Sequence, residues 1–149
     1  MSDQQKQAVI RFYEEGMKHL DLDALLSVMT DDVTWFGVDG GFNRTTYDGK
    51  DAVGQYMKAT FDQFKEGFFF TLRTVLEGPD MVITEWTNRA PLKAGGEYRN
   101  LGATVFTFVP GTDQIRDIRQ YFDFTPLAAQ SNWRERVQRV AETNEAGRG

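Results

Sequence analysis

A chain of 149 residues, 40% hydrophobic and 26% charged, has the size and balance of one globular domain around a single core. A net charge of −5 and a pI of about 4.9, with no basic stripe, argue against a nucleic-acid surface. With no cysteine and one histidine, His19, the chain excludes disulfides, thiolate or histidine-rich metal sites, a cysteine nucleophile and a histidine-centred serine triad. No apolar run has the length of a membrane span, and the opening Met-Ser-Asp-Gln-Gln-Lys lacks the apolar core of a signal peptide, so the expected location is the cytoplasm. Aromatic residues reach 13%, with 12 Phe, which favours a large apolar interior or a ring-lined pocket.

Residues 3–19 read as an amphipathic helix capped by Asp3, with Val9, Phe12, Tyr13, Gly16, Met17 and Leu20 at helical spacing. Asp21 caps a second short helix that turns Leu22, Leu25, Leu26 and Met29 inward and stops at Asp31-Asp32. An extended segment follows at Val33-Thr34-Trp35-Phe36. Residues 37–49 then form a polar, Gly-rich excursion, the length and composition expected of a lid or binding loop. The next helix runs from 50 to about 65, with Ala52, Val53, Tyr56, Met57, Phe61 and Phe64 inward. Four strands are expected at 68–77, 81–92, 97–109 and 114–125, joined by tight turns at Gly78-Pro79-Asp80, Gly95-Gly96 and Pro110-Gly111-Thr112-Asp113. Pro126 starts a last helix through Leu127, Trp133, Val137 and Val140, and the tail from about 142 is expected to fray. Helices followed by a meander predict a single α+β domain over 1–149, a curved antiparallel sheet forming a cone with the helices in its concave face.

Candidate site residues come from strand parity. On 114–125, Ile118, Gln120 and Phe122 share one face, so an inward Gln120 amide needs a partner or a ligand. The plain alternative is a structural amide tying strands together. On 81–92 the pocket face is either Ile83, Glu85, Thr87 and Arg89 or the opposite set, because a one-residue slip exchanges them. On the first choice Glu85 is a carboxylate in an apolar cavity, where desolvation would bring it toward general acid/base range. Asp39, in the Gly-rich loop, is the second acid candidate, against an ordinary solvated turn. Tyr13 and Tyr56 are placed to meet the pocket, and Trp35, Phe61, Phe106 and Phe122 to wall it. Asn100 and Thr104 share one parity and offer amide and hydroxyl contacts. Arg99 and Arg119 are expected outside on the convex face. That face, with Tyr98, Tyr121 and Trp86, is apolar enough to suit a homodimer.

Three motifs carry a family likeness: Asp-Leu-Asp-Ala-Leu-Leu-Ser-Val-Met-Thr-Asp-Asp-Val-Thr-Trp at 21–35, Gly-Lys-Asp-Ala-Val at 49–53 and Ile-Arg-Asp-Ile-Arg-Gln-Tyr-Phe-Asp at 115–123. With the order of elements, they resemble the nuclear-transport-factor-2-like cone folds, in particular the SnoaL-like branch. That superfamily holds polyketide cyclases, limonene-epoxide-type hydrolases, ketosteroid isomerases, dehydratases and binding modules, so the site must decide the function. The resemblance sets Gln120 at the cyclases' acid/base aspartate. Against the hydrolases' Asp-Arg-Asp set it puts Glu85 at the arginine, and Thr87 and Gln120 at the aspartates. Against the isomerases it sets Gly37 at the base, with Asp39 two residues on, Tyr13 at the oxyanion tyrosine and Thr104 near the second donor. The dehydratases' pair of histidines has no counterpart. The leading expectation is a cofactor-independent enzyme doing acid/base chemistry (isomerisation, cyclisation or epoxide opening) on an apolar oxygenated small molecule, with Glu85 or Asp39 as acid or base and Tyr13 and Gln120 orienting an oxygen. The other is a non-catalytic ligand-binding or assembly module.

Overall fold

A computed structural model describes residues 2–38, 44–123, 139–140 and 142–144. Helix α1 (Ser2–Arg11) passes directly into a wider turn, Phe12–Met17, whose Lys18 N–H reaches the Tyr13 carbonyl five residues back at 2.9 Å. The extra residue in the turn brings Phe12, Tyr13, Gly16 and Met17 all to the buried side. Gly16 is required there, because a Cβ would sit 2.8 Å from Leu25 Cδ1 of α2 (Leu22–Ser27). Asp21 caps α2 as expected, its carboxylate accepting from the Ala24 N–H at 3.0 Å. Strands β1 (Met29–Val38) and β2 (Arg44–Asp48) form a hairpin, and α3 (Lys50–Phe61) follows. Then come β3 (Phe69–Gly78), β4 (Met81–Pro91), β5 (Glu97–Phe108) and β6 (Ile115–Phe122).

The six strands make one curved, unclosed sheet in the order β2-β1-β6-β5-β4-β3. The expected meander is present as β3 to β6. The sheet is mixed rather than wholly antiparallel, because β6 returns beside β1 and pairs with it in parallel. Two local expectations are also corrected. Met29, Asp31 and Asp32 belong to β1 rather than to the end of a helix, and residues 44–48 of the Gly-rich excursion are a strand. The loop tip at 39–43, with Asp39, and the expected helix from Pro126 through Trp133 and Val137 lie outside the described residues.

Register explains how the interior is layered. Val82, Phe106, Ile118, Trp35 and Tyr47 are successive cross-strand partners, a row across five strands, and each is at most 1% exposed. Phe12 lies on this row, edge-on to Phe106 at 5.0 Å and stacked on Trp35 at 5.7 Å between ring centroids. The next row is polar: Thr84, Thr104 and Gln120 are partners across β4, β5 and β6. Trp86, Gly102 and Phe122 form the row after it, then Asn88 with Asn100, and Ala90 with Tyr98 beyond them. The sheet's inner face therefore turns from hydrocarbon to hydroxyl and amide over a few residues. Among the described residues no helix is long and apolar enough to cross a membrane.

Candidate functional site

The polar rows border a narrow cavity between the sheet and the helices. Met17 comes from the wide turn after α1, and Tyr56, Met57 and Thr60 come from one face of α3. Phe64, Phe68, Phe70 and Trp86 form a ring wall, with Phe68 and Phe70 centroids 4.5 Å apart and Phe70 edge-on to Trp86 at 5.0 Å. Asn88, Tyr98, Gln120 and Phe122 complete the lining. No acidic or basic side chain stands among the described residues that line it.

The polar groups fall into two sets. The first is buried and internally satisfied. Tyr13 and Thr84 share a hydrogen bond of 2.8 Å, and the Trp86 indole N–H donates to Thr104 Oγ1 at 2.9 Å. Burial pushes the Tyr13 phenol above its ordinary value, with Thr84 and Thr104 opposing the rise, so it stays a neutral hydroxyl. The second set comprises Asn88, Tyr98 and Gln120 in the cavity wall, with Asn100 behind Tyr98. Asn100 Nδ2 donates to the Tyr98 hydroxyl oxygen at 2.7 Å and to the Asp123 carbonyl at 2.6 Å. Burial pushes the Tyr98 phenol up, against hydrogen bonds from Asn100 and Asn88. Asn88 is only 7% exposed, and its Oδ1 is buried without a hydrogen-bond partner. Gln120 is equally buried and lines the same cavity.

Strand parity separates the sequence candidates. Gln120 does face inward. Glu85 does not: on β4 the buried positions are Val82, Thr84, Trp86, Asn88 and Ala90, and Glu85 is exposed on the outer face, accepting from Thr74 Oγ1 at 2.8 Å. Thr87 shares the outward parity with it, beside Thr71 and Arg89. Trp86 and Tyr98, expected on the convex face, are instead 2% and 4% exposed inside, which removes two of the three rings from the anticipated dimer surface. Tyr121 stays exposed there with Leu101, and Arg99 and Arg119 pair outside with Glu97 and Asp117. Tyr56 and Phe122 line the cavity, whereas Trp35, Phe61, Phe106 and Ile118 are core, Thr104 is held by the Trp86 indole, and Asn100 supports Tyr98. Asn88 was missed; the opposite β4 parity was the signal for it.

The cone of helices in a curved sheet is that of the nuclear-transport-factor-2-like proteins. The SnoaL-like domain model matches residues 9–118, so the chain belongs to the SnoaL-like family. None of the curated proteins matches this chain closely enough to count as a relative. Among solved structures, it is similar to a candidate SnoaL-like polyketide cyclase from Jannaschia sp. CCS1, at 17% identity over 89% of this chain and 93% of that one, with a TM-score of 0.71. A nuclear-transport-factor-2-like protein from Anabaena variabilis ATCC 29413 is 23% identical over 82% and 91% of the two chains, with a TM-score of 0.69. A hypothetical protein with a ketosteroid-isomerase-like fold from Catenulispora acidiphila DSM 44928, in complex with trimethylamine, is 17% identical over 84% and 92%, with a TM-score of 0.68. At these identities the likeness establishes the fold.

Proposed function

We propose that the cavity binds a small, largely apolar molecule bearing a hydroxyl or N–H group, and that it recognises this group through neutral side chains. The observation that carries the reading is Asn88 Oδ1, a buried acceptor without a partner in a wall of rings. Leaving such an atom unsatisfied costs about 1–3 kcal/mol, which a donor on the ligand would offset. The rings would take the ligand's apolar body and exclude water.

A second reading adds chemistry. The family's cyclases and isomerases suggest isomerisation, cyclisation or epoxide opening, with Gln120 and Asn88 orienting a substrate oxygen. Glu85 faces the wrong way to take part, so the acid or base would be Asp39. The inward Gln120 amide, beside the cavity on β6, favours this reading as far as orientation goes.

Calorimetric titration with phenol, anisole and toluene tests the first reading. Phenol is expected to bind about tenfold tighter than anisole, the difference one hydrogen bond makes. Asn88→Leu should abolish that preference, and binding should be flat from about pH 4 to pH 9, a range that includes ordinary side-chain carboxylates, because no acidic or basic side chain is among the described residues that line the cavity. Equal binding of phenol and anisole would overturn the hydroxyl recognition. A profile with a carboxylate-range inflection that Asp39→Asn removes would favour the second reading.

A further inference from the structure

We infer that the cavity's ligand carries a second polar group, an amide edge (an N–H beside a C=O, as in a lactam or carboxamide), and that Gln120 reads it. This ligand chemistry rests on the cavity being a ligand site. Gln120 lines the cavity and is 7% exposed, and its side chain hydrogen-bonds to none of the described residues. It is therefore not a structural amide tying strands together. The polar groups around it are engaged elsewhere. Thr104, its cross-strand partner on β5, accepts the Trp86 indole N–H at 2.9 Å. Thr60 donates to the Tyr56 carbonyl at 3.0 Å, and the Tyr98 oxygen accepts from Asn100 at 2.7 Å. Gln120 thus keeps both a donor and an acceptor for whatever enters.

The donor and acceptor of Gln120 stand side by side on one planar group. A ketone or ether fills the N–H alone and leaves the carbonyl bare among rings. A hydroxyl reaches both only through bent bonds, whereas an N–H beside a C=O meets them with two straight, parallel ones. A carboxylate offers acceptors alone, and its charge would lose water with no basic side chain among the described lining residues to replace it. Orientation also favours an adaptable reader. Asn100 is held by bonds to Tyr98, Asp123 and Leu101, while Gln120 is free to turn either way to suit the ligand's edge. The row of Trp86, Gly102 and Phe122 separates Gln120 from Asn88. Gly102 lets the Trp86 ring lie across that row, since a Cβ there would come within 2.9 Å of Trp86 Cη2. The ligand's apolar body would rest on this ring, with the amide edge toward Gln120 and the donor toward Asn88.

The probes are δ-valerolactam and cyclohexanone, rings of one size that differ in an N–H, titrated by calorimetry into the full chain. The ratio of lactam to ketone affinity is expected to fall about tenfold in Gln120→Met, the effect of one hydrogen bond. Methionine keeps the length of the side chain and removes both polar atoms. Comparing ratios cancels the lactam's greater cost of leaving water. A second readout needs no variant: in ¹⁵N-labelled parent protein the Gln120 side-chain NH₂ signals, assigned through their own backbone, should move downfield with δ-valerolactam. An unchanged ratio, or Gln120 signals that stay put while the lactam binds, overturns the amide edge and leaves the cavity reading standing. Binding of phenol without binding of δ-valerolactam does the same. If neither of these probes nor phenol binds, the cavity reading fails and the amide edge with it.

Discussion

Asn100 holds Tyr98 from a fixed direction. Its Nδ2 donates to the Tyr98 oxygen and to the Asp123 carbonyl, while its Oδ1 accepts the Leu101 N–H at 2.8 Å. One side of the amide faces a carbonyl and the other an N–H, so the group cannot turn over without losing both bonds. Tyr98 is thereby locked against Phe64 and Phe68 at the edge of the cavity, with ring centroids 6.2 and 6.1 Å away. Asn100→Ala should lower unfolding free energy by about 1–2 kcal/mol in a urea titration. It should also weaken phenol binding, although Asn100 itself makes no contact with the ligand.

Tyr13 offers a test of its place in the fold. Its hydroxyl is spent on Thr84, and it is not among the described lining residues. Tyr13→Phe leaves Thr84 Oγ1 without that bond, and is expected to cost about 1–2 kcal/mol in chemical denaturation. Ligand affinity should stay within about twofold, a change of under about 0.5 kcal/mol. A large loss of affinity or turnover without a loss of stability would instead give Tyr13 the oxyanion role implied by the isomerase resemblance.

Glu85→Gln should change almost nothing. The side chain is exposed and accepts from Thr74, which a glutamine carbonyl can also do. Unfolding free energy should stay within about 0.5 kcal/mol. Phenol binding should match the parent protein at every pH. A changed pH profile of binding would put the carboxylate back into the site's chemistry.

Gly67 is sterically fixed. A Cβ there would lie 2.3 Å from the Lys18 carbonyl oxygen, next to the bond that the Phe68 N–H donates to Met17 O at 3.1 Å. Gly67→Ala must push the wide turn away from the start of β3. The expected loss is about 1–3 kcal/mol, read as a lowered midpoint in thermal unfolding. Met17 would move with the turn, so ligand binding should weaken in the same variant.

The pH dependence of stability has two ends. Tyr13 and Tyr98 ionise only above the ordinary tyrosine value of about 10, so the folded chain keeps protons that the unfolded chain loses. Their contribution is constant below about pH 10 and falls as pH rises beyond it. Absorbance near 295 nm should show both rings ionising only with unfolding, a wavelength set by phenolate rather than by this chain. At the acid end, hydrogen bonds from the Gly111 N–H and Gln5 hold Asp80 below its ordinary value. That stabilisation is present at neutral pH and is lost as pH falls through the range below about 4.

Much of the cone was legible in the sequence because its signals are local. Turn residues separate β3 to β6, Asp21 announces α2, and the alternation around Ile118 and Phe122 turns Gln120 inward. The face of β4 was not legible. Its inner side intersperses Thr84 and Asn88 with Val82, Trp86 and Ala90, while its outer side carries Ile83 and Thr87 around Glu85, so neither side reads as plainly apolar. The parallel pairing of β1 with β6 joins residues more than eighty positions apart, as in Thr34 to Asp117, and no local pattern encodes it. The unpartnered atoms of Asn88 and Trp35 belong to the assembled interior alone, since a side chain's lack of a partner depends on every element around it.

The position of β6 also orders events during synthesis. It lies between β1, which leaves the ribosome before the meander, and β5, which precedes it by one turn. Until residue 122 has emerged, β1 has β2 as its partner on one side and an open edge on the other. The buried row that runs from Trp35 through Ile118 to Phe106 cannot close before then. A nascent chain cut short anywhere in the meander would therefore expose both halves of that row at once, a natural binding surface for a chaperone and a hazard for pairing with a neighbour.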